Sequence, residues 1–246
     1  MSKFSHRTRR VIVVFFTTIS IVGWLCLNSA SYETEVEQVS STPNNATAAD
    51  GAGDTLSAMV ILSKLEVRGR APKTGYSRDQ FYGAWPIIDG CSLRQRIIKR
   101  EMGNSATLSS ENDCDVISGE YDEPYTGSHM VFYQKSDFTT GVQIDHVVAL
   151  SDAWQKGAQN LTKEQRYNLA TDPLNLLAVD AATNMKKSDG DAATWLPPNK
   201  KFRCGYIARQ ISVKYKYGLW VSESEHDAMR KVLEACPNEP AVGVSI

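Results

Sequence analysis

Asp145 and His146 stand side by side in Gln143-Ile144-Asp145-His146-Val147-Val148-Ala149-Leu150, an apolar run rich in β-branched residues. A neutral imidazole can take a proton from water near pH 7, and a carboxylate beside it can hold a divalent cation. Asp-His pairs arise by chance, so this one points to chemistry only if partners of the right type accompany it. Two do. Asn175, in Asp172-Pro173-Leu174-Asn175-Leu176-Leu177-Ala178-Val179, enters a second apolar run, and nine residues later Asn184 opens Asn184-Met185-Lys186-Lys187. The other histidines are less useful. His6 precedes an apolar leader, His129 begins a strand after a turn-like Tyr125-Thr126-Gly127-Ser128, and His226 sits between Glu225 and Asp227 on a solvated helix face.

The order Asp-His, Asn at a strand, then Asn-x-x-Lys on a helix resembles the ββα-metal motif of HNH endonucleases, in its Asp-His-Asn form. The resemblance extends to Gly75-Tyr76-Ser77-Arg78-x-x-Phe81, Trp85, Cys91-x-x-Arg94, Pro124-Tyr125-Thr126-Gly127, Ala149-Leu150-Ser151-Asp152-Ala153-Trp154 and Thr194-Trp195-Leu196-Pro197-Pro198-Asn199. These look like the exported HNH-family proteins of actinobacteria, whose domain is related to the C-terminal nuclease domain of GmrSD restriction systems. The likeness covers residues 58–236.

Carried over residue by residue, the resemblance implies that His146 is the general base. It implies that Asp145 and Asn184 bind one divalent cation, that Asn175 braces the loop carrying the base, and that Lys187 lies near the phosphate. Asn184 stands where standard HNH proteins have a second histidine. An amide oxygen is a hard ligand and suits Mg²⁺ or Mn²⁺ better than zinc. The metal would stabilise charge on a nonbridging phosphate oxygen and the leaving 3′ oxygen.

These residues need elements to hold them. Leu56, Met59, Val60, Leu62 and Leu65 recur at helical spacing and open the folded domain near residue 55. Helical stretches are predicted over 77–85, 93–101, 147–155, 205–217 and from Ser222 towards Cys236, with capping boxes at Thr162-x-x-Gln165 and Ser222-x-x-Glu225. Asp180 reads as the N-cap of a helix through Lys187, and Gly218 as a C-cap residue. Short strands are predicted at 130–134, 142–144 and 176–179. The class is α+β, a mostly helical single domain around a small antiparallel hairpin that carries the ββα-metal motif and is stapled by disulfides.

Residues 1–30 hold four basic residues and no acid, and Arg10 is followed by an apolar run over 11–27. A basic stretch followed by an apolar core is an export signal, either a cleaved signal peptide or an uncleaved membrane anchor. Residues 31–54 are polar and acidic and read as a flexible linker, 55–236 as the nuclease-like domain and 237–246 as a loose tail. Cys91, Cys114, Cys204 and Cys236 lack zinc-site spacing. Outside the cell they should form two disulfides, and of the three pairings Cys91–Cys114 with Cys204–Cys236 is favoured.

The chain of 246 residues is 42% hydrophobic and 22% charged, which excludes collagen-like and wholly disordered proteins. A net charge of -1 excludes nucleic-acid binding by bulk charge. A local patch remains available over 186–217, where Lys186, Lys187, Lys200, Lys201, Arg203, Arg209, Lys214 and Lys216 interleave with Tyr206, Tyr215 and Tyr217. It reads equally as a polyanion track or as a solvated helix over core aromatics. Arg94, Arg96, Lys99 and Arg100 read as one helix face. The sequence therefore points to a monomeric, exported, divalent-metal-dependent endonuclease of low sequence specificity, with DNA favoured over RNA. The alternative is an inactive HNH-like binding module at the cell surface. A glycan hydrolase would need two carboxylates, for which Asp152 and Asp172 are the candidates.

Overall fold

Residues 55–134 and 141–245 are described by a computed structural model. Strand β1 (Thr55–Ser57) runs into helix α1 (Ala58–Leu62), capped by the Ser57 hydroxyl, which accepts from the Val60 N–H. The segment after it is irregular apart from a single 3₁₀ turn, Arg78–Gln80. The helix expected over 77–85 is thus one turn only. Gly83 and Pro86 disfavour continuing the helix, and beyond the turn the Tyr82 and Trp85 rings pack on each other and on His146.

A tight hairpin, β2 (Ile87–Ile88) and β3 (Cys91–Ser92), leads into α2 (Leu93–Met102). Next come β4 (Thr107–Leu108), β5 (Val116–Asp122) and β6 (His129–Tyr133), a three-stranded antiparallel sheet. Then β7 (Val142–His146), α3 (Leu150–Gln155), α4 (Lys163–Thr171), β8 (Leu176–Asp180) and α5 (Ala181–Lys187) form the centre. The chain ends in α6 (Arg203–Lys216), α7 (Glu223–Leu233) and β9 (Pro240–Ser245). Among the described residues this is a mixed α/β domain of small antiparallel sheets and seven α-helices, with disulfides Cys91–Cys114 and Cys204–Cys236, the sequential pairing.

Strands β7 and β8 pair antiparallel with Asp145 opposite Leu177 and His146 opposite Leu176. The period of two divides their residues between faces. Val142, Ile144, Leu176 and Ala178 pack into a cluster with Leu93, Ile97 and Ile98 of α2. Leu177 and Val179 join the main core beneath Tyr206, Ile207 and Ile211 of α6. Gln143 and Asp145 share that second face, and α5 lies against it.

The sequence-derived caps hold. Thr162 and Gln165 form the reciprocal box, and Asp180 accepts from the Thr183 N–H at 2.7 Å. Ser222 accepts from the Glu225 N–H, but the Glu225 side chain turns inward to two lysines instead of closing a box. Helix α3 begins at Leu150, three residues later than expected, because 147–149 extend from β7 with their polar groups held by Asn175 and Gln210. The tail read as loose is β9, paired with β1 and burying Ala241. Its Pro and Gly obscure the strand, yet both are tolerated where only one neighbour must be paired.

Among the described residues no helix is long and apolar enough to cross a membrane. The apolar run at 11–27 and the linker at 31–54 lie outside those residues, as does His6.

Candidate functional site

The end of β7, the start of α3 and the C-terminal half of α5 meet at one cleft. Its volume is about 300 Å³, and Gln143, Asp145, His146 and Asn184 line it, joined across the opening by Arg78 and Asp189. His146 is 5% exposed, with Tyr82 and Trp85 beside its ring, Trp85 stacked at 8°. Its Nε2 lies 2.9 Å from the Ala170 carbonyl. A carbonyl only accepts, so Nε2 carries the hydrogen and Nδ1 keeps its lone pair. Burial, and then the charge of Arg78, lower the imidazole pKa to about 3. At neutral pH the ring is uncharged and one nitrogen is poised to accept a proton.

Asn175 is fully buried and organises the loop behind this ring. Its Oδ1 accepts from the Val148 N–H at 2.8 Å, and its Nδ2 donates to the Leu169 and Val148 carbonyls. Leu169 immediately precedes the residue whose carbonyl orients His146. Asn175 thus ties the chain leaving the histidine to the chain whose carbonyl meets its ring.

Asp145 is 6% exposed and has two partners. Lys187 Nζ stands 3.0 Å from Oδ1 and 2.9 Å from Oδ2, and it also donates to the His146 carbonyl at 2.9 Å. The Tyr125 hydroxyl donates to Oδ2 at 2.5 Å. Burial, and then the Asp145 charge, hold the Tyr125 phenol well above its ordinary pKa, so it remains a donor. The Lys187 ammonium, expected near the phosphate, is instead buried beneath the carboxylate.

Asn184 lies one turn before Lys187 on α5, so the two reach the same strand. Its Nδ2 donates to Gln143 Oε1 at 2.9 Å. That bond commits the amide nitrogen and leaves the oxygen as the available acceptor. Just beyond, Ser188 adopts φ 52° at the cleft wall, a backbone state rare outside glycine and asparagine.

The donor set tests the expected cation. Asp145 and Asn184 offer hard oxygens, and the carboxylate keeps lone-pair capacity beyond its three contacts. This fits a weakly held Mg²⁺ or Mn²⁺ with most ligands supplied by water or substrate. It does not fit zinc. Among the described residues, the group of three closely placed thiol, imidazole or carboxylate ligands is Cys204, Cys236 and Glu239, whose cysteines form a disulfide.

The cluster proposed over 186–217 disperses. Lys187 and Lys214 are buried in ion pairs, Lys216 pairs with Asp172, and Tyr206 is core. The α2 arginines clamp the central strands from outside. Arg94 donates to the Val142 carbonyl and Arg100 to those of Pro173 and Leu176. His129 is exposed beside Glu120 and Asp122, and His226 lies at the surface near Asp227.

Sequence reasoning missed Tyr125, Gln143, Tyr82 and the Ala170 carbonyl. Tyr125 and Tyr82 were visible only as aromatics near turns, and a backbone carbonyl has no sequence signal.

The unit β7–β8–α5 presents an imidazole, a carboxylate and an amide to one cleft. Residues 93–232 match the family described as GmrSD restriction endonucleases, C-terminal domain, and the chain belongs to that family. A relative from Arthroderma benhamiae, named "Uncharacterized secreted protein", is 37% identical over 182 residues, covering 73% of this chain and 84% of the relative. No solved structure matches the chain.

Proposed function

We propose that the protein is an exported, divalent-metal-dependent endonuclease of the HNH type that hydrolyses phosphodiester bonds, in DNA before RNA, with little sequence preference. The observation that carries this reading is His146, neutral and oriented by Ala170 so that Nδ1 keeps its lone pair, on the strand that also bears Asp145 and faces Asn184. Membership of a restriction-endonuclease family supports the nuclease class. The two disulfides, the basic and apolar leader and the secreted relative support export.

In this mechanism His146 Nδ1 removes a proton from the attacking water. Burial, the larger cause of the depressed pKa, makes the free enzyme's imidazole a weak base, and a substrate phosphate would offset only the part that comes from Arg78 and Lys187. Asp145 and Asn184 would hold Mg²⁺ or Mn²⁺, which supplies charge stabilisation at the phosphate and leaving oxygen. Tyr125 and Lys187 orient the Asp145 carboxylate, Lys187 also ties the His146 carbonyl, and Asn175 keeps the loop rigid.

The test is cleavage of plasmid DNA and of RNA by purified protein, with and without EDTA. His146→Ala should lower the rate by about 10²–10⁴-fold while the protein still folds. Asp145→Ala and Asn184→Ala should each abolish cleavage. A parental rate in His146→Ala would remove the assignment. An inert parent in Mg²⁺ and Mn²⁺ would favour a binding module.

A further inference from the structure

Among the described residues that line the cleft, one side chain, Arg78, is permanently cationic and open to substrate. Lys187 is committed to Asp145 and the His146 carbonyl and is fully buried. Lys73, at the rim, pairs with Asp189. Arg78 is exposed, lines the cleft with His146 and Asn184, and has no carboxylate partner among the described residues. Its NH2 donates to the Tyr82 hydroxyl at 2.7 Å, and its guanidinium carbon lies 5.4 Å from the Tyr82 ring centroid. The same Tyr82 ring is 5.9 Å from the His146 ring. One tyrosine therefore sets the guanidinium relative to the imidazole.

A guanidinium has five N–H donors in a fixed plane, and a single bond to Tyr82 leaves a fork for a tetrahedral oxyanion. On the nuclease reading, we propose that Arg78 binds the substrate phosphate opposite Asp145 and Asn184, that Tyr82 is its positioning residue, and that Lys187 does not touch the phosphate. Arg78 lies before residues 93–232, so the matched domain would be completed by a segment outside it. The 3₁₀ turn at Arg78–Gln80 is held to the body of the protein by Arg166, whose Nε donates to the Gln80 carbonyl. The arginine thus stands on a fixed support.

The test uses the full chain in two backgrounds. In His146→Ala, which cleaves far more slowly on this reading, binding of a fluorescein-labelled DNA oligonucleotide in Mg²⁺ is followed by anisotropy across a salt series. Adding Arg78→Ala should weaken binding about tenfold and reduce the salt slope by about one. In the active background Arg78→Ala should lower kcat/KM about 10²–10³-fold. Arg78→Lys should regain binding better than kcat, because it keeps charge but loses the fork. Tyr82→Phe keeps the ring and removes the hydroxyl, so kcat should fall about 3–10-fold with KM little changed. Arg96→Ala, an exposed arginine paired with Asp89, should match the parent in both assays.

Parental binding and cleavage in Arg78→Ala would overturn the proposal, as would an equal loss in Arg96→Ala. If the parent binds oligonucleotide through Arg78 but cleaves nothing, the phosphate site stands and the nuclease reading fails. If the parent neither binds nor cleaves, both fall.

Discussion

Two of the places where the described residues bury ionic side chains behave differently. In the first, Lys156 Nζ lies 2.7 Å from Asp152, 2.7 Å from Asp191 and 2.6 Å from Glu225. Lys214 bridges Asp152 and Glu225, and Arg70 reaches Asp152 and Asp191 from the surface. Three carboxylates meet three cations, and the group is closed. In the second, Asp145 meets Lys187, but His146 and Asn184 beside them open on the cleft. Asp152 and Asp145 are similarly buried, so burial alone does not separate structural charge from reactive charge. The presence of unsatisfied capacity on an accessible face does. The same comparison removes the glycan-hydrolase candidates, since Asp152 is spent on lysines and Asp172 on Lys216 and Tyr217.

The closed cluster should respond most strongly to change. Burial would lower the Lys214 pKa, yet Asp152 and Glu225 raise it, and Lys156 and Arg70 hold Asp191 low against its own burial. Lys156→Met would leave three buried carboxylates sharing Lys214 and Arg70. Breaking such a cluster costs about 3–5 kcal/mol, which corresponds to a Tm lower by roughly 6–20 °C in a domain of this size. His146→Ala should do the opposite, removing activity from a protein that still melts cooperatively. Calorimetric melts of the two variants check the contrast, and an unchanged Tm in Lys156→Met would break it.

Much of the site was legible because its chemistry is local. Asp145 and His146 are neighbours on one strand, Asn184 and Lys187 are one helical turn apart, and Asp180 announces the helix that carries them. The closed cluster was not legible, because Asp152, Asp191 and Glu225 come from three separate stretches whose charges look solvated in one dimension. The surroundings of Lys187 were hidden for a related reason. A lysine near a metal motif suggests phosphate, whereas only the packing of α5 on β7 places its ammonium, buried, against Asp145 and the His146 carbonyl. Strand β5 was missed because Ser118, Gly119 and Glu120 interrupt any apolar alternation, and at Gly119 a Cβ would sit 2.7 Å from Met102 Sδ, which would have to move.

Asn175 tests whether the open site depends on a closed support of its own. Asn175→Ala would orphan the Val148 N–H and two carbonyl contacts in a fully buried position, at a cost of about 1–3 kcal/mol. Because the last turn of α4, which carries Leu169 and Ala170, would relax, kcat should fall more than this stability loss explains, with KM nearly unchanged. Steady-state kinetics well below the melting transition separate the two effects. A variant with lowered Tm and parental kcat would reduce Asn175 to a structural residue.

The smallest expected effect concerns pH and separates the two regions by protonation. His146 is buried neutral with a pKa near 3, whereas an unfolded histidine titrates near 6.5. The unfolded chain therefore binds a proton that the native protein refuses. Stability that is intact above pH 6.5 should fall with decreasing pH, by up to about 1.4 kcal/mol per pH unit, until the native imidazole protonates. Asp172, Asp189 and Asp191 have depressed pKa values and lose stability in the same direction, but only as pH approaches the carboxylate range. Between pH 6.5 and about 5 the slope should thus come from His146 rather than from the closed cluster. Denaturation midpoints of the parent and of His146→Gln over that window measure it. The parent should lose stability and the variant should stay nearly flat. Equal slopes in both would mean that the buried ring does not govern acid sensitivity, and that the carboxylate–lysine cluster begins to fail earlier than its pairing implies.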